Sequence, residues 1–465
     1  MLSYFKTIMP AFVIVAMLAS CSSKSDPIGP DTSEPAEVGI ESFGFFEEDN
    51  QNILFGDYVI DEVTGTEILI KLPAETDLTE LVARFTTTEN DTVKIQNVIQ
   101  ESGVTANDFT NAVEYLVTEG DANEIYTVTV VKMARAQWSE MPAFTDDELR
   151  DISLAINPVS STPSVAFISN RDAAADRKLN LISFEGGSWK MIGKADFTPA
   201  QARTVYLAYD DEGVPYVSFS DENHERHSSV MSYSNGSWSY VGGSAFSGVR
   251  SNDDAVAVGE DGTVYGFYID RDDRGTKLKT FDGSWVDVTI TGRTGDSRVI
   301  QAKQVNGDIY LAVLDFGNSQ SVSVYKYSDG SWKVLADGMK ESPDNVIYYY
   351  DLGMDVDHEG NVYLAYAENA GSGTDYELRV KKYSDKNDSW STVGSTIATS
   401  NTRVFDVAVD AYGVPMLFYQ DDSKNPTVVR LDEETNNWAA ADNLANGEAD
   451  ELHIEAASNG VVYAS

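Results

Sequence analysis

Apolar and polar residues alternate along most of this chain in short runs, and no stretch keeps a long helical period. Within residues 39–133 the runs 53–60, 67–72, 81–87 and 125–131 each mix β-branched and apolar side chains and are bounded by Gly, Pro, Asn or Asp. Successive side chains on a strand point to opposite faces, so runs of this kind predict half-buried strands. A block of this length built from them predicts a β-sandwich.

Beyond residue 133 the pattern becomes periodic. All seven tryptophans lie there, at Trp138, Trp189, Trp238, Trp285, Trp332, Trp390 and Trp438, spaced 47 to 58 residues apart. Each unit holds four short strand signals. The first turn recurs as Asp210-Asp211-Glu212-Gly213, Gly259-Glu260-Asp261-Gly262, Asp357-His358-Glu359-Gly360 and Asp410-Ala411-Tyr412-Gly413. In these turns Asp can accept backbone N–H groups and Gly supplies the positive φ of a tight hairpin. The last turn recurs as Gly-Ser-Trp at Trp189, Trp238, Trp285 and Trp332. A strand-type repeat near 50 residues predicts a β-propeller over residues 134–465, with Trp and Tyr filling the gaps between blades.

Six complete units run from about 148 to 442, and the chain ends in half a unit, 451–457 and 461–465. The segment Gln137-Trp138-Ser139 precedes the first unit. If it supplies a strand to the seventh blade begun by the C-terminus, the ring closes and two open sheet edges disappear. The expectation is an all-β chain: a sandwich, then a seven-bladed propeller closed by the Trp138 strand.

Three segments carry family resemblances. Lys6 and the apolar run 8–18 form a signal-peptide core too short to span a bilayer, and Leu18-Ala19-Ser20-Cys21 resembles the lipobox of bacterial lipoproteins. The resemblance implies cleavage after residue 20 and a lipid on Cys21, the only cysteine of the chain. Residues 21–38, with Pro27, Pro30 and Pro35, read as a disordered tether, in which Lys24 and Asp26 resemble the surface-export signal of Bacteroidetes lipoproteins. The segments 113–118 and 126–130 resemble the end of the Ig-like domains that follow the anchor in many of those proteins, which implies a spacer over 39–133. The Gly-Ser-Trp turn is similar to part of the Asp-box of sialidase-type propellers, but the fuller Ser-x-Asp-x-Gly-x-x-Trp pattern is not met. These resemblances place the protein at the outer membrane, on its periplasmic or surface-exposed side.

Charge narrows the partners. Against 33 Lys and Arg stand 75 Asp and Glu, a net charge of −42. Such a surface repels phosphate backbones and excludes nucleic acid as a partner. Its acidity would admit Ca²⁺, although no specific motif calls for it, and no other cofactor or metal is expected.

Topology then selects a face. The loops joining blades and the loops from second to third strand share one side of a propeller, and here they are long and variable, as variable binding loops on a rigid scaffold tend to be. Arg203 and Arg403 each lie ten residues before their turn glycine, and Arg150, Arg250 and Arg298 sit at or near the same strand start. With the aromatic run Tyr348, Tyr349 and Tyr350 they are the candidate ligand-binding residues at the channel mouth. Guanidinium groups there suit an anionic or mixed ligand. The alternative is pairing with acidic neighbours such as Asp254, Asp351 and Asp406. His224 and His227 share one loop without a third metal ligand, and His453 stands between Glu451 and Glu455 on a strand that could face the channel. No nucleophile elbow, P-loop or dinucleotide fingerprint is placed correctly. The sequence thus points to a membrane-anchored binding protein for a glycan or protein rather than an enzyme. A propeller glycosidase or polysaccharide lyase, and a structural partner in an envelope complex, are the alternatives.

Overall fold

The structure is a computed structural model. It describes residues 38–465 except 52, 55–56, 61, 74–75, 89–90, 133–137, 146–147, 172, 293–294, 349–350, 370–375, 400–403, 433–434 and 440. Cys21, the leader, all but the last residue of the tether, Tyr349, Tyr350 and Arg403 lie outside the described residues.

The N-terminal sheets follow from the alternation. Glu67–Leu72 buries Ile68, Ile70 and Leu72 and exposes the residues between them. It belongs to a five-stranded sheet with Ala122–Lys132, Val113–Glu119, Thr92–Ile95 and Val98–Ile99, facing a three-stranded sheet of Tyr58–Ile60, Ile40–Phe45 and Arg84–Thr87. Phe43 and Phe45 from the smaller sheet pack against Tyr115, Val117 and Val128 of the larger, with Phe43 edge-on to Tyr115 at 5.3 Å. Glu67–Leu72 and Ala122–Lys132 pair in parallel, a feature that alternation cannot reveal. The predicted run 53–60 yields only the strand Tyr58–Ile60. Ile53 and Leu54 instead turn back on the Asn50 carbonyl, which buries Leu54 without a ladder.

From residue 149 onward the described strands form seven sheets, the first four of them simple meanders in chain order. Their first strands are Leu149–Asn157, Tyr206–Tyr209, Ser251–Val258, Ser297–Val305, Gly353–Val356, Phe405–Val409 and Ile454–Ala456. These inner strands touch in sequence around a ring, and Ile454–Ala456 in turn meets Leu149–Asn157. The architecture is a β-propeller. Sheets one to four have four strands each, and the seventh has two, Ile454–Ala456 and Val462–Ala464. Sheet five has an additional short strand, Val346–Ile347, which pairs with the same neighbour as Gly353–Val356, Val362–Asn369. Tyr348 falls in the break between those two inner pieces.

The tryptophans stitch neighbouring sheets. Four indole N–H groups donate to a carbonyl in the outer strand of the preceding sheet or just beyond it, Trp238 to Ile192 at 3.1 Å, Trp285 to Val241 at 3.0 Å, Trp390 to Leu335 at 2.8 Å and Trp438 to Ser395 at 2.7 Å, whereas the Trp332 N–H is buried without a partner among the described residues. Trp189 donates likewise to Pro142 at 2.7 Å. In two connecting loops a phenylalanine lies on the next indole, Phe197 on Trp238 at 4.0 Å and Phe246 on Trp285 at 4.5 Å. At the five hydrogen-bonded positions apolar area is buried and the polar N–H is still satisfied; at Trp332 the packing, against Tyr325 and Tyr327, stands without the hydrogen bond.

The Trp138 strand expected to close the ring is not among the assigned strands. Residues 138–145 are irregular, and 133–137 lie outside the described residues. The Trp138 side chain nevertheless packs against the cluster that holds Phe418, Leu452 and Ile454, at the seam of the sixth and seventh sheets. Deleting residues 1–140 should therefore destabilise the last sheet far more than deleting residues 1–130, because both remove the sandwich but only the longer removes Trp138. Thermal melts of the two truncations decide it; equal stability would remove this segment from the closure.

Candidate functional site

The inner strands converge on a central channel, and their channel-side N–H groups have no second strand to pair with. Buried backbone donors require partners, and carboxylates from the adjoining sheets provide them. Glu451 of sheet seven accepts Ile152 N–H of sheet one at 2.9 Å. Asp151 accepts Val205 N–H, Asp253 accepts Ile300 N–H at 3.2 Å, Asp351 accepts Phe405 N–H at 2.9 Å and Asp406 accepts Ile454 N–H at 3.0 Å. Each acid thus reaches from one sheet to the next, forming a belt near the start of the inner strands. At the junction of sheets two and three the roles reverse, and Thr204 donates to Asp254 at 2.8 Å.

Desolvation dominates the electrostatics of this belt. It pushes Asp253 up to about 8, with Asp254 adding repulsion, and Asp351 up to about 7 against the pull of its two backbone N–H donors. Desolvation likewise raises Glu451 to about 7 and Asp254 to about 6. Asp151, beside Glu451, Asp253 and Asp254, and Asp406, beside Glu455 and Asp351, are also held well above the usual carboxylate range, burial again being the largest cause. Burial lowers His453 to about 4, so its imidazole stays neutral.

Deeper along the strands the channel is crossed by polar side chains. Lys303 of sheet four pairs with Asp355 of sheet five and, at 3.1 Å, with Glu455 of sheet seven. Tyr206 of sheet two donates to the Ala302 carbonyl of sheet four at 2.6 Å, passing over sheet three. Desolvation opposes the Lys303 charge, but the two carboxylates outweigh it and hold the ammonium above its ordinary range. These contacts form a floor under the acid-lined mouth.

Two of the candidate arginines are paired rather than free. Arg203 is paired with Glu222, which also takes Arg226 at 2.8 Å. Arg298 is paired with Asp296 and lies over the Phe316 ring at 4.6 Å. Arg150 and Arg250 are exposed and without a side-chain partner among the described residues. Tyr348 is buried and packs edge-on to Tyr376 at 4.9 Å. Asp254, Asp351 and Asp406, considered above as arginine partners, bind backbone N–H groups and hydroxyls instead, which the neighbouring strands bring within reach.

Sequence reasoning missed the belt, although a signal was present. Asp253, Asp351 and Glu451 each stand nine residues before their turn glycines Gly262, Gly360 and Gly460. Lys303 had no such periodicity, since its role depends on what lies across the channel.

On the face of the connecting loops, a recess of about 460 Å³ opens between sheets one and two. Asp176, Lys178, Gln201 and Glu222 line it with hydrogen-bonding groups, and Ala175, Pro199 and Ala200 supply an apolar wall. Arg203 holds Glu222 at its edge. A second recess of about 320 Å³ lies between sheets four and five beside Trp390, Lys381 and Glu341.

The family model described as SGBP, N-terminal, matches residues 50–130. No curated protein matches the chain. Among solved structures the chain is similar to the SapL1 lectin in complex with α-methyl fucoside, at 13% identity over 64% of this chain and 97% of that chain, with a TM-score of 0.44. It is also similar to a DUF4623 family protein from Bacteroides eggerthii, at 13% identity over 83% of this chain and 96% of that chain, with a TM-score of 0.30. A polysaccharide lyase, the ulvan lyase of family PL25, is similar at 16% identity over 54% of this chain and 73% of that chain, with a TM-score of 0.39. None of the three reaches a TM-score of 0.5, and none bears on ligand or activity.

Proposed function

We propose that this protein is a surface glycan-binding lipoprotein, held to the outer membrane by a lipid on Cys21, that presents its propeller's loop face to a polysaccharide. The observation that carries the reading is the match of residues 50–130 to the family model described as SGBP, N-terminal. The recess between sheets one and two supports it. A sugar ring offers a polar edge of hydroxyls and an apolar face, and this recess pairs hydrogen-bonding side chains with an apolar wall. The paired state of Arg203 and Arg298 favours a neutral glycan over the anionic ligand that the unpaired arginines would have suited.

The test is a glycan array probed with the parent protein and with Lys178→Ala/Gln201→Ala. A glycan retained by the parent should be bound at least tenfold more weakly by the double variant, as loss of two polar contacts contributing about 1 kcal/mol each implies. Equal binding would move the site elsewhere, and no bound glycan on a broad array would overturn the reading. The anchor has its own arm. The parent should partition into detergent and Cys21→Ala into the aqueous phase; retention of the variant in the detergent phase would exclude lipidation at Cys21.

A further inference from the structure

A second constellation stands on the loop face, in the turn after the strand Pro215–Asp221. A 3-10 turn, Glu222–His224, is followed by Glu225 and Arg226, both at positive φ, which reverse the chain sharply into His227–Ser234. This fold-back lays the His224 ring against the preceding strand's last residue. His224 Nδ1 lies 2.9 Å from Asp221 Oδ2, and His224 Nε2 lies 2.9 Å from Ser244 Oγ, in the loop leading to sheet three.

The proton positions follow from chemistry. The Asp221 carboxylate is only 1% exposed and already accepts Tyr240 O–H at 2.9 Å, Ser229 O–H at 3.2 Å and Asn223 N–H at 2.9 Å. A carboxylate accepts, so the imidazole must carry its proton on Nδ1. In the neutral ring Nε2 is then an acceptor, and the Ser244 hydroxyl donates to it. Tyr240, edge-on to the ring at 6.2 Å, braces the same orientation.

The neighbouring sheet shows that the fold does not require this arrangement. In the corresponding loop after sheet one, Gly193 and Phe197 match Gly242 and Phe246. Both glycines press on the next Trp, and Asp196 and Ala245 share a positive φ. Asp196 N–H donates to Asn180 as Ala245 N–H donates to Ser229. At the two positions between, sheet one has Lys194 and Ala195 where this loop has Gly243 and Ser244. Gly243 has φ +94°, and a side chain there would meet nothing within 4 Å, so the space beside Ser244 is open. The backbone N–H groups of Gly242, Gly243 and Ser244 donate to no acceptor among the described residues.

We infer that Ser244, His224 and Asp221 form a nucleophile, base and orienting acid that hydrolyse short-chain carboxylic esters at the loop face. Ser244 Oγ attacks the ester carbonyl carbon while its proton passes to His224 Nε2. The C–O bond to the alcohol breaks, and the leaving alkoxide takes that proton. Water then attacks the Ser244 ester, losing its proton to Nε2, and the carboxylic acid departs as Ser244 regains the proton. The unpaired N–H groups beside Ser244 are the donors available to the tetrahedral oxyanion. Asp221 is a positioning residue, since it touches only His224 and its own supports. This activity is independent of the glycan reading.

The test uses the full chain, p-nitrophenyl acetate and a fluorophosphonate probe, with the modified peptide identified by mass spectrometry. The probe should attach to Ser244. Ser244→Ala should lose both labelling and at least 100-fold of the turnover, at an unchanged melting temperature, because Ala195 occupies the matching place in sheet one. His224→Gln should lose labelling while Ser244 remains in place. A parent that neither labels at Ser244 nor turns over the ester faster than Ser244→Ala overturns the inference, whether or not His224→Gln folds.

Discussion

Between pH 6.5 and 8.5 the melting temperature of the propeller should fall, by roughly 5 °C, which corresponds to a loss of a few kcal/mol. The cause is the acid belt. Asp253, raised to about 8, and Asp351 and Glu451, raised to about 7, have folded values above those of the unfolded chain. From about pH 4 up to those values the folded state binds more protons than the unfolded one, so stability falls as pH rises, and the loss is complete above them. His453 works in the opposite sense, because its folded value is lowered to about 4. The unfolded chain then binds the extra proton below about pH 6.5, so this contribution rises with pH there and is flat above. The window above pH 6.5 therefore isolates the carboxylates. Asp253→Asn keeps an oxygen for Ile300 N–H and removes the charge, so it should stabilise the protein at pH 8.5 by about 1–2 kcal/mol and flatten the slope. Calorimetry across this window checks both. A melting temperature that is constant or rises would mean that the belt is fully ionised and hydrated.

Lys303→Met should cost about 3–5 kcal/mol at pH 8, since it leaves Asp355 and Glu455 facing the channel without their cation. The loss should be smaller at pH 5, where Glu455 can take up a proton. Desolvation already raises Glu455 despite the lysine beside it. Adding Asp355→Asn and Glu455→Gln to Lys303→Met should recover most of the stability, because removal of both sides of a buried pair costs far less than removal of one. Urea denaturation at the two pH values measures each variant. A neutral Lys303→Met at pH 8 would show that channel water, rather than the ammonium, satisfies the two carboxylates.

Local chemistry determined the units of this protein. Alternation marked Glu67–Leu72 to the residue, because a strand with one buried face can be written only in that pattern. The Asp-x-x-Gly turns were legible because backbone at positive φ selects glycine, as at Gly213, Gly262, Gly360 and Gly413. The period of the tryptophans was legible because the units pack their indoles alike, against the core of the preceding sheet. Tertiary structure alone decided what depends on residues far apart in the chain. The parallel pairing of Glu67–Leu72 with Ala122–Lys132 is one case. Another is the pairing of Arg203 and Arg298 with Glu222 and Asp296 rather than with the inner-strand aspartates. The belt and floor of the channel are the clearest case. Glu451 and Ile152, or Lys303 and Glu455, meet only when the ring brings the chain's end back to its beginning. Whether an acidic residue becomes a solvated surface charge or a desolvated clasp is set by which side of its strand faces the axis, and that is fixed only when all the sheets are in place.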